Sequence, residues 1–493
     1  MKDQSNVKFA YFPVILKEKK SEKVKMNIIR LEVNSTIQPQ PTIFVADYDK
    51  KVMRKRLFIF AFSFSCLVGS HAQEVLSLQE CLRYGIEHNL GLEGKRNEMR
   101  KSQFAISENR AKLLPQINAF ANFNDNFDPP VSVTDGSAYG NPYNVTHTLQ
   151  YNASAGVQMQ LPLYNQTLLS SMRLTKMMHG ISRLNYEKAR EDLIMQIATM
   201  YYLGQATSEQ LSLVKANITR LEELRDITVA FYDNGMAMEV DVKRVNINLE
   251  NLQVQYDNAQ AMLTQQLNLL KYVMDYPADQ DIALEPVDAE SLSPIELTGL
   301  SENLYELQLL QSQGEVTELQ KKMIRQGYIP SLTLTGNWTY QAFTDKFHHW
   351  FHSGPSNHWY RSYGIGLALR VPIFDGLDKR NKVRKANVDL ANIRLNQDNL
   401  RKNLQTQYLN ATNDLMNNQR NFKKQKDNYL LAEDVYEVTS DRYREGIASM
   451  TEVLQDEMSM SEAQNNYISA HYNYRVTRLS LLKLTGRVES LLQ

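Results

Sequence analysis

Four stretches of the chain alternate apolar and polar residues with a period of two. In 145–161 the odd positions are mostly apolar, whereas the even positions are mostly Asn, Gln and Ser. The same alternation runs through 117–123, 331–342 and 362–371. A period of two places every apolar side chain on one face of a β-strand. The pattern therefore predicts four strands, each with one apolar face and one wet, uncharged face.

These strands suit a membrane better than a soluble core. We expect lengths of about 10–15 residues, which suffice to cross a bilayer when a strand is tilted. All three tryptophans, Trp338, Trp350 and Trp359, lie in the second strand pair, as interfacial belts prefer. The alternative is a half-buried soluble sheet that rests on helices. The neighbouring helical segments are very polar, and this favours lipid against the apolar face.

Two segments predict very long helices. Residues 167–231 hold no proline and two glycines, and residues 377–443 hold neither. At 1.5 Å per residue each helix is about 100 Å long, which is typical of a coiled coil or a helical tube. The helix after the first long segment has a heptad seam that steps three and four residues at a time. Its members are Val242, Val245, Leu249, Leu252, Tyr256, Ala259, Leu263, Gln266 and Leu270. A simple two-helix coiled coil would show the same period.

The same landmarks occur twice, at an offset of about 210 residues. The corresponding pairs are Pro115 and Pro330, Pro162 and Pro372, and Gly235 and Gly446. We therefore predict a duplicated architecture, with a first repeat over 73–290 and a second over 291–493. The strand hairpins are expected at about 116–165 and 331–374. Because two strands per repeat cannot close a sheet, the chain is expected to work as an oligomer.

The chain carries an export signal. Residues 53–72 combine a basic start, an apolar run too short to span a bilayer, and a small-residue cleavage site. Because such a signal belongs at the N-terminus, residues 1–52 are predicted to be untranslated or unstructured. From residue 73 onward the chain holds 42 Lys and Arg against 49 Asp and Glu. This negative balance argues against nucleic acid as a partner.

Candidate chemistry is sparse. Cys81 is the only cysteine after the signal, so no disulfide can form within the mature chain. We find no nucleophile with a base and no phosphate-binding loop, and we predict neither a cofactor nor an enzyme. The one open alternative is the loop over 344–359. It holds His348, His349, His352 and His358, and a cluster of histidines can bind metal.

Each long helix is predicted to end at a tight turn that contains glycine. Gly235 and Gly446 suit a positive φ, and the helices that follow open with Asp241 and Glu452 in their first turns. An acid in the first turn is favoured by the helix dipole alone. The functional alternative is a ring of acids at the end of a tube, which would form a cation-selective constriction.

The chain resembles the TolC-like outer membrane efflux proteins over about 75–493. The resemblance rests on the opening segment 76–82 with His88-Asn89-Leu90, on 113–115, on 161–164 with 371–376, and on the two turns with their acids. The order and repetition of these motifs make it specific. It implies a mainly α fold with a transmembrane β part, in which a helical coiled-coil barrel continues a 12-stranded β-barrel shared by a homotrimer.

The same resemblance implies function and partners. Such proteins are trimeric outer membrane channels that export small molecules together with a periplasmic adaptor and an inner-membrane RND or ABC transporter. The prolines would mark the strand–helix junctions, and outer membrane lipid would surround the strands. The tip gate and adaptor-docking residues would be Gly235, Asp241, Tyr443, Gly446 and Glu452. This chain has Ala448 where an arginine can follow the second glycine by two positions, so it lacks that side chain for a latch.

Two other functions stay open from the sequence. Within the family, the chain could be the outlet of a type I protein secretion system. Outside it, a periplasmic adaptor protein also has long helical hairpins, although it lacks four strands of bilayer length. The sequence does not identify the cargo, the pump or the adaptor.

Overall fold

A computed structural model describes residues 74–135, 137–140, 142–287, 298–351 and 359–492. The predicted signal over 53–72, the segment 1–52 and the predicted boundary between 290 and 291 lie outside the described residues. So do His352 and His358 of the loop.

Helices make up most of the described chain. They are α1 (Leu78–His88), α2 (Leu90–Ala111), α3 (Gln166–Asp233), α4 (Glu239–Met274), α5 (Tyr305–Gln326), α6 (Asp378–Arg444) and α7 (Met450–Leu484). The two long helices predicted from the sequence are confirmed, since α3 has 68 residues and α6 has 67. Among the described helices, none has both the length and the hydropathy that crossing a membrane requires.

Side-chain caps fix where several helices begin. Asn165 accepts a hydrogen bond from the backbone N–H of Leu168 (3.0 Å) at the start of α3. Asn89 does the same for Leu92 (2.8 Å) at the start of α2. The first N–H groups of a helix have no partner within it, so these asparagines determine where the chain turns helical.

The strands are β1 (Glu74–Leu76), β2 (Gln116–Asp125), β3 (Val131–Asp135), β4 (Tyr143–His147), β5 (Tyr151–Tyr164), β6 (Ile282–Leu284), β7 (Ser331–Thr344) and β8 (Trp359–Arg370). Four of them form one antiparallel sheet in the order β2-β5-β7-β8. Strands β1 and β6 form a short parallel pair, and β3 pairs with β4. The predicted strands at 117–123, 331–342 and 362–371 are confirmed as β2, β7 and β8, with ends that differ by a few residues.

The predicted strand over 145–161 is wrong as a single element. The chain leaves β4 at His147 and enters β5 at Tyr151, so the stretch belongs to two hairpins. Thr148 donates from its backbone N–H to the carbonyl of Pro130 (3.2 Å), whereas the carbonyl of Gln150 accepts from Asn126 (2.8 Å). Within the predicted hairpin at about 116–165, residues 128–142 therefore contain β3, and its partner β4 begins directly after them.

Among the described residues, three buried clusters hold the helices together. The first surrounds Cys81 and Leu82 of α1 and includes Tyr201 of α3, whose hydroxyl donates to the carbonyl of Leu76 (3.0 Å). The second lies at the ends of α3 and α6 that are furthest from the sheet, and the third joins α5, α6 and α7. Both halves of the chain follow the order helix, strand, strand, long helix, helix. An origin by duplication stays a prediction.

Candidate functional site

The four-stranded sheet has two chemically different faces. Residues directly opposite each other on antiparallel strands lie on the same face, so the register can be read across the sheet. One face has the rows Ile117–Met159–Gly336–Ile365 and Ala119–Val157–Trp338–Tyr363. The other has Asn118–Gln158–Asn337–Gly364 and Gln116–Gln160–Thr335–Gly366. Pairing thus joins the four alternating patterns of the sequence into one apolar surface and one polar surface.

The apolar face and the two outer strands are uncovered. On β8 the side chains of Tyr363, Ile365, Leu367 and Leu369 are all exposed, Ile365 to 85%. Strands β2 and β8 form the edges of the sheet, and within the described residues no further strand pairs with either. An open edge of this length presents a row of N–H and C=O groups that require partners.

Three prolines lie beside the strands and one lies inside a strand. Pro115 precedes β2 and Pro330 precedes β7, so in both halves a proline separates the incoming helix from its strand. Pro372 follows the end of β8 by two residues. Pro162 differs from the expected position because it lies within β5 opposite Thr333, and the register with β7 shifts between Pro162 and Tyr164. Proline has no N–H to donate, so the pairing becomes irregular there.

The long helices end in two turns of the same geometry, which we call the tip. Gly235 and Gly446 have φ values of 75° and 76°, and the expected positive φ is confirmed. Behind them, Met236 N–H donates to the carbonyl of Phe231 and Ile447 N–H to that of Arg442, both at 2.8 Å. These bonds satisfy the last carbonyls of α3 and α6, and a residue with a Cβ atom would be strained at either glycine.

The two tip acids cap the helices that follow. Glu452 Oε2 accepts from Ser449 N–H (2.9 Å), and Ser449 Oγ accepts from Glu452 N–H (3.3 Å). Asp241 Oδ2 accepts from Met238 N–H (3.3 Å). Both acids therefore carry a local capping function. A cap needs only an oxygen atom that accepts a hydrogen bond. A charged constriction would also need the negative charge of the two carboxylates.

The helix starts are also linked to each other. Arg244 Nη1 donates to Asp241 Oδ1 (3.2 Å) on its own helix and to Thr451 Oγ1 (3.3 Å) on α7. Sequence reasoning missed this bridge because Arg244 belongs to no repeated landmark. Arg244 thus joins the first turns of α4 and α7 by a polar contact.

Tyr443 occupies a different environment from the other tip residues. Its side chain is 6% exposed and its hydroxyl donates to Thr228 Oγ1 (3.3 Å). Its ring lies 5.6 Å from that of Phe231, and Ala448 packs against the same cluster. Tyr443 is thus a packing residue between α3 and α6. Any part it plays in a gate has to act through the contact of these helices.

A polar seam between α3 and α7 also escaped the sequence analysis. Asn217 Nδ2 donates to Gln464 Oε1 (2.7 Å), and Arg475 donates to Gln205 Oε1 (2.7 Å) and to His471 Nε2 (3.0 Å). Burial, followed by the charge of Arg475, lowers the pKa of His471 to about 3. The imidazole is therefore neutral, and its Nε2 can accept the hydrogen bond that Arg475 Nε–H donates.

The seam also contains a buried acid. Glu457 is 4% exposed, and its Oε1 has no hydrogen-bond partner among the described residues. Burial raises the pKa of this carboxyl to about 6. The signal was present in the sequence, because Glu457, Gln464 and His471 recur at steps of seven beside the apolar seam.

The loop histidines do not form a metal site in the part of the chain that is described. His348 and His349 lie in a 3₁₀-helix (Phe347–Phe351) with ring centroids 4.3 Å apart. Within residues 74–492, apart from the gaps given above, no three His, Cys, Asp or Glu side chains are grouped to hold a metal ion. On the same 3₁₀-helix, Phe347 and Trp350 pack on Phe123, with ring centroids 6.1 and 6.0 Å apart.

Comparison with known proteins gives one family over most of the chain. The family described as outer membrane efflux protein matches residues 86–274 and 300–487. The probable efflux pump outer membrane protein TtgC of Pseudomonas putida is 25% identical over 385 residues, which cover 73% of this chain and 75% of that protein. Outer membrane protein TolC of Escherichia coli is 20% identical over 392 residues, or 77% and 76% of the two chains.

Solved structures of channels share the fold. The outer membrane protein VceC of Vibrio cholerae superposes with a TM-score of 0.64 at 16% identity, covering 83% of this chain and 96% of that one. The open state of the MtrE outer membrane channel of Neisseria gonorrhoeae gives 0.66 at 18% identity, covering 84% and 90%. At these identities the likeness concerns the fold.

Proposed function

The chain belongs to the outer membrane efflux protein family, and we propose that three copies form a channel through the outer membrane and the periplasm. The observation that carries the proposal is the four-stranded sheet with one apolar face and two open edges. Within hydrocarbon every backbone polar group needs a partner, so strands can span a bilayer only in a closed barrel. Three sheets joined β2 to β8 give 12 strands, enough for an aqueous lumen lined by the polar face.

Exposed apolar stripes on two helices support the same ring. On α4 the stripe consists of Val240, Ile247, Val254, Met262 and Leu269. On α6 it consists of Val388, Leu395, Leu409, Met416 and Leu430. The steps are seven or eight residues on α4 and seven or fourteen on α6, so each stripe follows one side of its helix, as it does when a helix packs against a partner. Because the two stripes differ, α4 of one copy on α6 of the next is a head-to-tail contact, the kind of contact from which closed rings are built.

The cargo we propose is small molecules such as drugs or other toxic compounds. Relatives at 25% and 24% identity bear the names of antibiotic and toluene efflux pump outer membrane proteins. The polar face of the sheet, which has one charged residue at its end, Arg370, suits a lumen without selectivity for one compound. The channel would work with a periplasmic adaptor and an inner-membrane RND or ABC transporter, docking at the tip around Gly235 and Gly446. No catalytic step is part of the proposal.

The first test is the native mass of the mature chain extracted from outer membranes in mild detergent. Three chains per particle, with conductance in planar bilayers, would support the channel. A stable monomer would leave β2 and β8 open and would sink the shared barrel. Deletion of the gene should also raise cellular retention of exported dyes. Unchanged retention together with lost secretion of a protein would favour the outlet of a type I secretion system.

A further inference from the structure

The ends of the helices nearest the sheet carry a concentration of positive charge, which we call the basic collar. It spans 108–112, 166–176, 318–326 and 375–385, and holds twelve Lys and Arg against four acids. The cations are Arg110, Lys112, Arg173, Lys176, Lys321, Lys322, Arg325, Lys379, Arg380, Lys382, Arg384 and Lys385. The chain from residue 73 onward is negative as a whole, so the collar is a local reversal of charge.

The pairing of the strands brings the four segments to one end of the sheet, where the strands meet the helices. Gln116 at the start of β2 lies opposite Gln160 near the end of β5, and Ser331 at the start of β7 lies opposite Arg370 at the end of β8. Helices α2, α3, α5 and α6 therefore all join the sheet at this end. The collar is a product of the fold rather than of one basic stretch of sequence.

Most of this charge is free to meet an external anion. Ion pairs within the collar join Glu318 to Lys321 (2.6 Å), Asp375 to Lys379 (3.0 Å) and Asp378 to Lys382 (2.7 Å). The other nine cations have no carboxylate within 4.0 Å among the described residues, and all nine are exposed. Holding so many like charges together is unfavourable unless counter-charges approach them.

The surface changes character in a fixed order towards the collar. The apolar positions of β8 continue past the strand as Val371 and Ile373, both exposed, and Phe374 follows. Arg380 and Arg384 come next, on the first turns of α6. Apolar, aromatic and then basic residues follow the order of a bilayer from its hydrocarbon to its phosphate groups.

One open groove of about 360 Å³ lies within the collar on α3. Its lining consists of Gln166, Leu169, Ser170, Met172, Arg173 and Lys176. The hydroxyl of Ser170 already donates to Gln326 Oε1, so it is not counted as a partner for a ligand. Two cations and an amide beside two apolar side chains match a phosphodiester with its glycerol and the start of its acyl chains.

We propose that the basic collar binds anionic glycerophospholipids of the periplasmic leaflet, and that the α3 groove seats the phosphate of one such lipid. The proposal rests on the proposed function, because only a channel in the outer membrane places this end of the sheet at that leaflet. The apolar face of the sheet sets its depth in the bilayer, and the attraction between the lipid phosphates and the collar would fix that depth further.

The test compares lipid retention by the purified full-length trimer. The protein is placed in nanodiscs of phosphatidylcholine mixed with an equal share of phosphatidylglycerol, and co-purified lipid is counted by mass spectrometry at low and high salt. The wild type should retain phosphatidylglycerol preferentially. The variants R173Q/K176Q and R380Q/R384Q/K385Q should each lose about tenfold or more of that preference, since each basic residue near an anionic surface contributes measurably.

The matched control is R420Q/K423Q/K424Q, which removes three charges from the same helix about 50 Å further along. It should retain the wild-type preference. No preference in the wild type, or equal loss in the control, would overturn the collar proposal. So would an unchanged lipid preference with altered ion selectivity in the collar variants, which would place these cations in the lumen. A wild-type protein that forms no trimer and conducts no ions in planar bilayers would instead contradict the proposed channel function.

Discussion

At the scale of single residues, the two tip acids cap helices and also bring negative charge to the tip. Glu452 and Asp241 each accept a backbone hydrogen bond at the start of a helix. The carbonyl oxygen of an amide side chain can also accept that bond but carries no charge. Substitution with Asn or Gln therefore removes the charge and keeps the cap, whereas substitution with Ala would remove both.

We expect the double variant Asp241→Asn, Glu452→Gln to keep the melting temperature of the wild type and to lose part of its cation selectivity. The physical reason is that three copies would lose about six negative charges from one constriction. Reversal potentials in planar bilayers measure the effect. An unchanged selectivity would leave the two acids as helix caps and remove the charged ring.

Glu457 should make stability depend on pH. Its pKa in the folded protein is about 6, above its usual value of 4.5, because burial disfavours the charged form. The folded state therefore loses stability as the pH rises from about 4.5 through 6, and above that the cost is constant at about 2 kcal/mol. Glu457→Gln should raise the melting temperature at pH 7.5 and flatten its dependence between pH 4.5 and 6.5. A variant that melts at the wild-type temperature at pH 7.5 would show that the carboxylate has a partner in the assembled protein.

At the scale of elements, the tip turns depend on backbone geometry. Replacing Gly235 and Gly446 with valine forces a β-branched residue into a positive φ, at a cost of about 1–2 kcal/mol each. We expect weaker adaptor binding or a higher resting conductance, measured by pull-down and in planar bilayers. Gly180→Val on α3 is the matched control, because an added Cβ there meets no atom within 4 Å and the backbone is helical. If the tip variants export normally and remain closed at rest, the tip is assigned wrongly.

The exposed stripe of α4 offers a test of helix packing between copies. Ile247→Lys places a charge in the proposed contact with α6 of the next copy and should shift the native mass from trimer towards monomer. The neighbouring exposed Asn246 lies off the stripe, so Asn246→Lys should leave the mass unchanged. Equal behaviour of the two variants would show that the stripe faces solvent or lipid instead.

The elements could be predicted from the sequence where one period acts alone. The long helices were clear because 167–231 and 377–443 lack breakers, and the seam of α4 is buried at Val245, Leu252, Ala259 and Leu270 as its heptads required. The break between β4 and β5 was invisible because alternation continues in phase across 148–150. The second face of α4 was missed because its apolar residues are seven or eight positions apart, and most of them have Asn or Gln as neighbours in the sequence.

At the scale of the whole molecule, the sequence could not show which strands lie next to each other. Four alternating patterns predict four strands but do not determine their order, and the order β2-β5-β7-β8 arises from pairing between the two halves of the chain. The same limit explains why the basic collar was not foreseen. The first and last of its four segments are more than 200 residues apart in the sequence, and only the strand register brings the four together.

The open edges of the sheet have a consequence for inheritance. If β2 of each copy pairs with β8 of the next, no copy completes a wall by itself, and a faulty copy spoils the ring that it enters. In a cell that makes intact and assembly-competent but blocked chains in equal amounts, only about one ring in eight would contain intact copies alone. Blocked variants should therefore act dominantly over the wild-type gene, whereas variants that fail to assemble, such as Ile247→Lys, should be recessive. Dye retention in cells that express both alleles would distinguish the two classes, and equal recessiveness of both would argue against a wall shared between chains.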